Sequence, residues 1–126
     1  MDRTTPHQPL PHAECVRFGE LIARVGDRWT LPVTVTLLAG PLRFNQLRRA
    51  INGVSQQMLT RTLKSLERDG MVTRTVHPSV PPQVEYALTA LGVSLAEEGM
   101  RIGAWARDNM AAIHSSRERY DAGERG

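Results

Sequence analysis

Between Ala13 and Val25 the apolar residues Val16, Phe18, Leu21, Ile22 and Val25 recur at the three- and four-residue steps of an amphipathic helix, and Gly26 supplies its stop. A second element opens at Trp29-Thr30 and runs to about Ala39, with Thr30 as N-cap and Gly40-Pro41 as closure. Its run Val33-Thr34-Val35-Thr36 is β-branched and alone favours a strand. Pro32, however, suits the first turn of a helix, where backbone amides lack intrahelical acceptors, so the segment reads as a helix. Being apolar on nearly every side, it is expected to be the central buried helix.

A short third helix spans about Phe44 to Ile51, with Phe44, Leu47 and Ile51 inward, and Asn52-Gly53 makes a turn. Ser55 is placed to cap a longer helix ending at Asp69-Gly70, whose buried stripe is Leu59, Thr62, Leu63 and Leu66. Two strands follow, Val72 to Val76 and Val84 to Leu88, the second alternating Val84, Tyr86 and Leu88 inward against Glu85 and Ala87. The connection His77 to Gln83 holds three prolines, which stiffen it and deny it ladder hydrogen bonds, so it should project. Thr89 caps a last helix from about Ala90 to Ala112, with an apolar seam of Leu91, Leu95, Ile102, Trp105, Ala106 and Ile113. Residues 1–11 read as a disordered arm, 12–114 as a single domain and 115–126 as a disordered polar tail.

Charge sharpens this outline. Between positions 43 and 83, seven basic side chains face only Glu67 and Asp69, a net of +5, whereas the rest of the chain carries nine basic and eleven acidic groups, a net of −2. A basic island of this kind suits a phosphate-bearing partner. The 126 residues are 40% apolar, enough for one sizeable core. No apolar run is long enough for a bilayer and the N-terminus has no secretory h-region, so no membrane partner and a cytoplasmic location are expected.

The order of helix, turn, capped helix and stiff hairpin, joined to the basic bias, is that of a mainly α, winged helix-turn-helix fold. A polar stripe by itself is usually only a solvated face. Here the helix from Ser55 carries Gln56 and Gln57 in its first turn and Thr60, Arg61 and Lys64 further on. Glutamine can pair with adenine and arginine with guanine. Arg48 and Arg49 are expected on phosphates, with Arg43 and Asn45 beside them, and Arg74, His77 and Gln83 on the wing. The expected partner is double-stranded operator DNA.

Several motifs resemble one regulator family: Gly26-Asp27-Arg28-Trp29-Thr30, Gly40-Pro41-Leu42-Arg43-Phe44, Val54-Ser55-Gln56-Gln57-Met58-Leu59-Thr60, Leu66-Glu67-Arg68-Asp69-Gly70 and Pro81-Pro82-Gln83-Val84-Glu85-Tyr86. From about Cys15 to Trp105 the chain is similar to HxlR-type regulators, which are bacterial and related in architecture to MarR-type repressors. The resemblance implies a homodimeric transcription factor, paired through its first and last helices, whose Ser55-type helices read a pseudo-palindromic operator. Where such wings often carry Arg or Lys this chain has Gln83, and where they carry tyrosine it has His77.

Cys15 admits three readings, a small buried residue at the start of the first helix, a sensor of oxidants or electrophiles, or a metal ligand with His12, for which no second pair completes a tetrahedral set; the resemblance implies the second for some members, in which proline follows the cysteine, whereas Val16 follows Cys15. A small molecule is the other candidate effector. Trp29 and Trp105 suit a core or dimer seam better than a ligand pocket, and His77 and His114 read as surface residues. No metal, cofactor or enzymatic motif is evident, so no enzyme is expected. The alternative function is a winged-helix protein-interaction module that binds an acidic partner.

Overall fold

The computed structural model describes residues 11–123; the N-terminal arm read from the sequence lies almost wholly outside them. In chain order the elements are α1 (His12–Val25), α2 (Thr30–Leu37), β1 (Leu42–Arg43), α3 (Phe44–Ala50), α4 (Gln56–Arg68), β2 (Val72–His77), β3 (Gln83–Leu88) and α5 (Ala90–Asp121). The three strands form one antiparallel sheet in the order β1-β3-β2. β2 and β3 make the hairpin, paired from Val72 with Leu88 to His77 with Gln83.

α2 is central and helical despite its β-branched run. Thr34 Oγ1 donates back to the Leu31 carbonyl at 3.0 Å and Thr36 Oγ1 to Pro32 at 2.7 Å, which satisfies both hydroxyls inside the helix. Val33, Thr34 and Leu37 are buried there against Leu47, Leu59, Leu63 and Leu66 of α3 and α4. The expected Thr30 cap is not formed. Trp29 holds the N-cap position without a side-chain bond of its own, and Asp27 Oδ2 accepts from the Trp29 amide at 3.3 Å. The carboxylate reaches the N-cap amide from two residues back along the chain, and the Asp27 carbonyl accepts from the Thr30 amide at 3.3 Å, so Thr30 is the first helical residue.

α4 has the termini its sequence suggests. Ser55 Oγ accepts from the Met58 amide at 3.1 Å. At the far end the Gly70 amide reaches Glu67 and the Met71 amide reaches Leu66, while Gly70 adopts φ +77°, a left-handed stop that glycine accepts without strain. Thr89 ties this end to the next helix: its hydroxyl donates to the Gly70 carbonyl at 2.7 Å and accepts from the Gly92 amide at 3.1 Å. Ser55→Ala is therefore expected to lower stability by about 1 kcal/mol, measured by urea unfolding, without changing the fold. An unchanged midpoint would mean that the cap contributes nothing.

Two boundaries differ from the sequence reading. β1, a two-residue strand, pairs Leu42 with Tyr86 and Arg43 with Glu85, and is too short to carry a period. α5 continues to Asp121, through most of the segment read as a tail. Nothing between Ala104 and Asp121 breaks a helix, and His114 and Glu118 pair one turn apart at 3.4 Å. With 32 residues, α5 is about 48 Å long.

Its apolar seam is only partly covered within one chain. α5 meets α2 through Ala96 and Gly99; a Cβ on Gly99 would lie 3.1 Å from Val35 Cγ2 and 3.2 Å from Leu31 Cδ2. Leu95 joins the core, but Leu91, Ile102 and Trp105 are exposed, Trp105 by 61%. Past Gly99 no described residue of α5 is buried. Trp29 does take the core position expected of it, with the Arg28 guanidinium 4.7 Å above its ring.

Candidate nucleic-acid interface

The turn between α3 and α4 sets the site. Leu47, Ile51 and Val54 are buried, Gly53 turns the chain at φ +87°, and Ser55 starts α4 at once. Since Leu59, Thr62, Leu63 and Leu66 face the core, the opposite face of α4 must carry Gln57, Arg61, Lys64 and Arg68 outward, and all four are exposed. Gln56 is also exposed at the first turn, and Thr60 is half-buried. Ser55 is exposed, but its oxygen is engaged in the cap, so its part is to start the helix.

Asn45, Arg48 and Arg49 are exposed on α3 and line a shallow notch that ends at the Asn52-Gly53 turn. That places two guanidinium groups along the approach to α4. Arg43 stands at the other end of α3. Its amide donates to Gln46 Oε1 at 2.8 Å, and its Nη1 donates to Gln83 Oε1 at 3.1 Å, so the base of the wing is joined to the start of α3.

Among the sheet residues, Arg43, Glu85, Gln83 and His77 occupy paired positions on its outer face. His77 Nε2 and Glu85 Oε1 are 3.2 Å apart, so these two side chains engage each other within the wing. Arg74 is not on that face. Two residues beyond buried Val72, it lies with Lys64 and Glu67 in a notch beside α4. The hairpin tip is closed by Ser79 Oγ donating to the Pro81 carbonyl at 2.7 Å, and Val80 is fully exposed. The sequence-derived residues thus form two groups: α3 and α4 with Arg74 alongside, and Arg43 with Gln83 and His77 on the sheet.

Cys15 is exposed on α1, which does not fit the reading of a small buried residue. Val16, Phe18, Leu21 and Ile22 of the same helix are exposed as well. Among the described residues there is no group of three or more side chains able to hold a metal ion, and no helix long and apolar enough to cross a membrane. Sequence reasoning missed Gln46 and Asp27, whose carbonyl and carboxylate fix the starts of α3 and α2. A side-chain acceptor three residues after, or two before, a helix start is the signal that identifies them.

A helix, a tight turn, a capped helix with a polar outer face and a two-stranded wing define a winged helix-turn-helix protein. Residues 24–114 match the model of the HxlR-like helix-turn-helix family. The chain belongs to that family of transcriptional regulators. It is 39% identical over 106 residues to the HTH-type transcriptional regulator YtfH of Escherichia coli, covering 84% of each chain. Among solved structures it is similar to the transcriptional regulator ytfH from Salmonella typhimurium, with TM-score 0.73, 39% identity, and coverage of 79% of this chain and 89% of that one. It is also similar to the redox regulator HypR in its reduced form, with TM-score 0.72, 33% identity, and coverage of 79% and 98%. The names of these relatives are those of regulators, not enzymes.

Proposed function

We propose that the protein is a sequence-specific DNA-binding regulator that acts as a homodimer on a pseudo-palindromic operator. The observation that carries this reading is the outward face of α4, where Gln57, Arg61 and Lys64 are exposed along one helix stripe beside Arg48 and Arg49 of α3. Gln56, Gln57, Thr60 and Arg61 supply base-edge contacts, while Arg43, Asn45, Arg48, Arg49, Lys64 and Arg74 hold phosphates. The wing adds less than its place suggests, because Gln83 engages Arg43 and Glu85 engages His77.

The apolar residues of α1 and α5 that one chain leaves exposed support the dimer. Two-fold pairing would set the two α4 helices about one duplex turn, roughly 34 Å, apart. The test is salt dependence. About 6 to 10 phosphate contacts per dimer should cost roughly 10³- to 10⁵-fold in affinity between 50 and 200 mM salt. A flat response would remove phosphate contact from the account and favour the protein-interaction alternative.

Exposure of Cys15 on the proposed dimer helix, with similarity to a solved redox regulator, supports oxidant or electrophile control. Cys15→Ser is expected to abolish any release from DNA caused by peroxide or quinone. An unaltered response in gel shifts would exclude the thiol from the mechanism.

A further inference from the structure

Four side chains on the outer face of the sheet can pair in two ways. Arg43 of β1 lies directly opposite Glu85 of β3, and Gln83 of β3 lies directly opposite His77 of β2. Positions 83 and 85 are two apart on one strand, so all four residues share a face. Directly opposed side chains start about 5 Å apart and diagonal ones about 7–8 Å, so the nearer partners are Arg43 with Glu85 and Gln83 with His77. The bonds in the structure take the longer route. Arg43 Nη1 donates to Gln83 Oε1 at 3.1 Å, and His77 Nε2 lies 3.2 Å from Glu85 Oε1. An ionised carboxylate can only accept, so the imidazole Nε2 carries the proton of that bond.

The two pairings treat charge differently. Direct pairing would set the Arg43 guanidinium on the Glu85 carboxylate and neutralise it. Diagonal pairing gives Arg43 a neutral amide oxygen and turns the carboxylate toward β2. The backbone of Arg43 is held too, its amide donating to Gln46 Oε1 at 2.8 Å, so main chain and guanidinium are both fixed where α3 meets the wing. Arg43, His77 and Gln83 are exposed and Glu85 is half-buried, which leaves this face open to a partner.

We propose that His77 and Gln83 are positioning residues that act through Arg43: they hold Glu85 off it, so that the guanidinium keeps its charge for a backbone phosphate of the DNA. Gln83 occupies one N–H of the guanidinium, and the remaining donors suit a phosphate oxygen. Loss of the imidazole releases Glu85 to its direct neighbour, and the carboxylate then competes with the phosphate for the same donors. The phosphate contact rests on the DNA-binding reading above, whereas the division of Glu85 between His77 and Arg43 does not.

His77→Phe keeps a ring and removes the N–H, and Glu85→Gln removes the charge at constant shape. With fluorescence anisotropy of the full chain on a retained DNA fragment at several salt concentrations, Arg43→Met is expected to weaken binding about tenfold and to lower the salt slope by about 2 per dimer. His77→Phe should weaken binding about threefold or more, add nothing in the Arg43→Met chain, and be reversed by Glu85→Gln. A loss from His77→Phe that persists without Arg43 would make His77 a DNA contact and overturn the assignment. A gain from Glu85→Gln as large in the native chain as in His77→Phe would also overturn it, since Glu85 would then be only a general repulsive charge. In the absence of DNA, the guanidinium nitrogen resonances of Arg43 should shift in His77→Phe and return when Glu85→Gln is added. Unmoved resonances would refute the exchange of partners even in a chain that binds DNA. Resonances that move in a chain retaining no DNA fragment would uphold the exchange and refute the regulator reading.

Discussion

Trp105→Asp is expected to give a folded monomer that binds operator DNA at least about a hundredfold more weakly than the native chain. Trp105 is 61% exposed in one chain, so a carboxylate there meets water and costs little stability. In the proposed dimer the same position lies on the seam with Ile102 and Met110 of α5 and Phe18 and Ile22 of α1, where an unpaired charge would lose its hydration. Separating the two α4 helices removes bivalent engagement, and each half-site contact must then hold alone. Sedimentation would report the monomer and fluorescence anisotropy the weakened binding, with circular dichroism as the check on folding. A variant that remains dimeric and binds normally would place the seam elsewhere.

Arg61→Ala carries the second large effect. The side chain is exposed on α4 and within reach of the Met58 sulfur at 3.9 Å, so it lies along the helix. Its removal should cost about 1–3 kcal/mol on the operator and relax the preference at one base pair. Arg48→Ala, on α3, should instead weaken specific and random DNA alike. Losses of the same size on both kinds of DNA for both variants would refute the division between reading and clamping.

The outward place of Arg61 was legible because helix faces follow from spacing. Leu59, Leu63 and Leu66 mark the inward side of α4, and the outward side is then determined. Ser55 and Gly70 were equally readable, since each supplies a group or a backbone angle that a helix end requires. Other features depended on partners remote in sequence. Arg43 meets Gln83 forty residues later, and nothing local predicts that a two-residue strand will dock beside β3. Arg74 is as basic as Arg61 but sits beside α4, because strand alternation counted from buried Val72 turns it there.

The last helix shows a different limit. An apolar seam in sequence does not say whether it faces its own core or another chain; Ala96 and Gly99 meet α2, and Ile102 and Trp105 meet solvent. Small residues are the ones that permit close helix approach, so the larger ones are left in solvent in one chain.

Hydroxyl-radical footprinting on genomic fragments retained by the protein tests the central claim most directly. The account predicts one class of fragment bound well above random DNA, with two protected half-sites related by a dyad and centred about 10 base pairs apart. Retention of all fragments alike, or a single unsymmetrical footprint, would contradict a dimer that reads an operator through paired α4 helices.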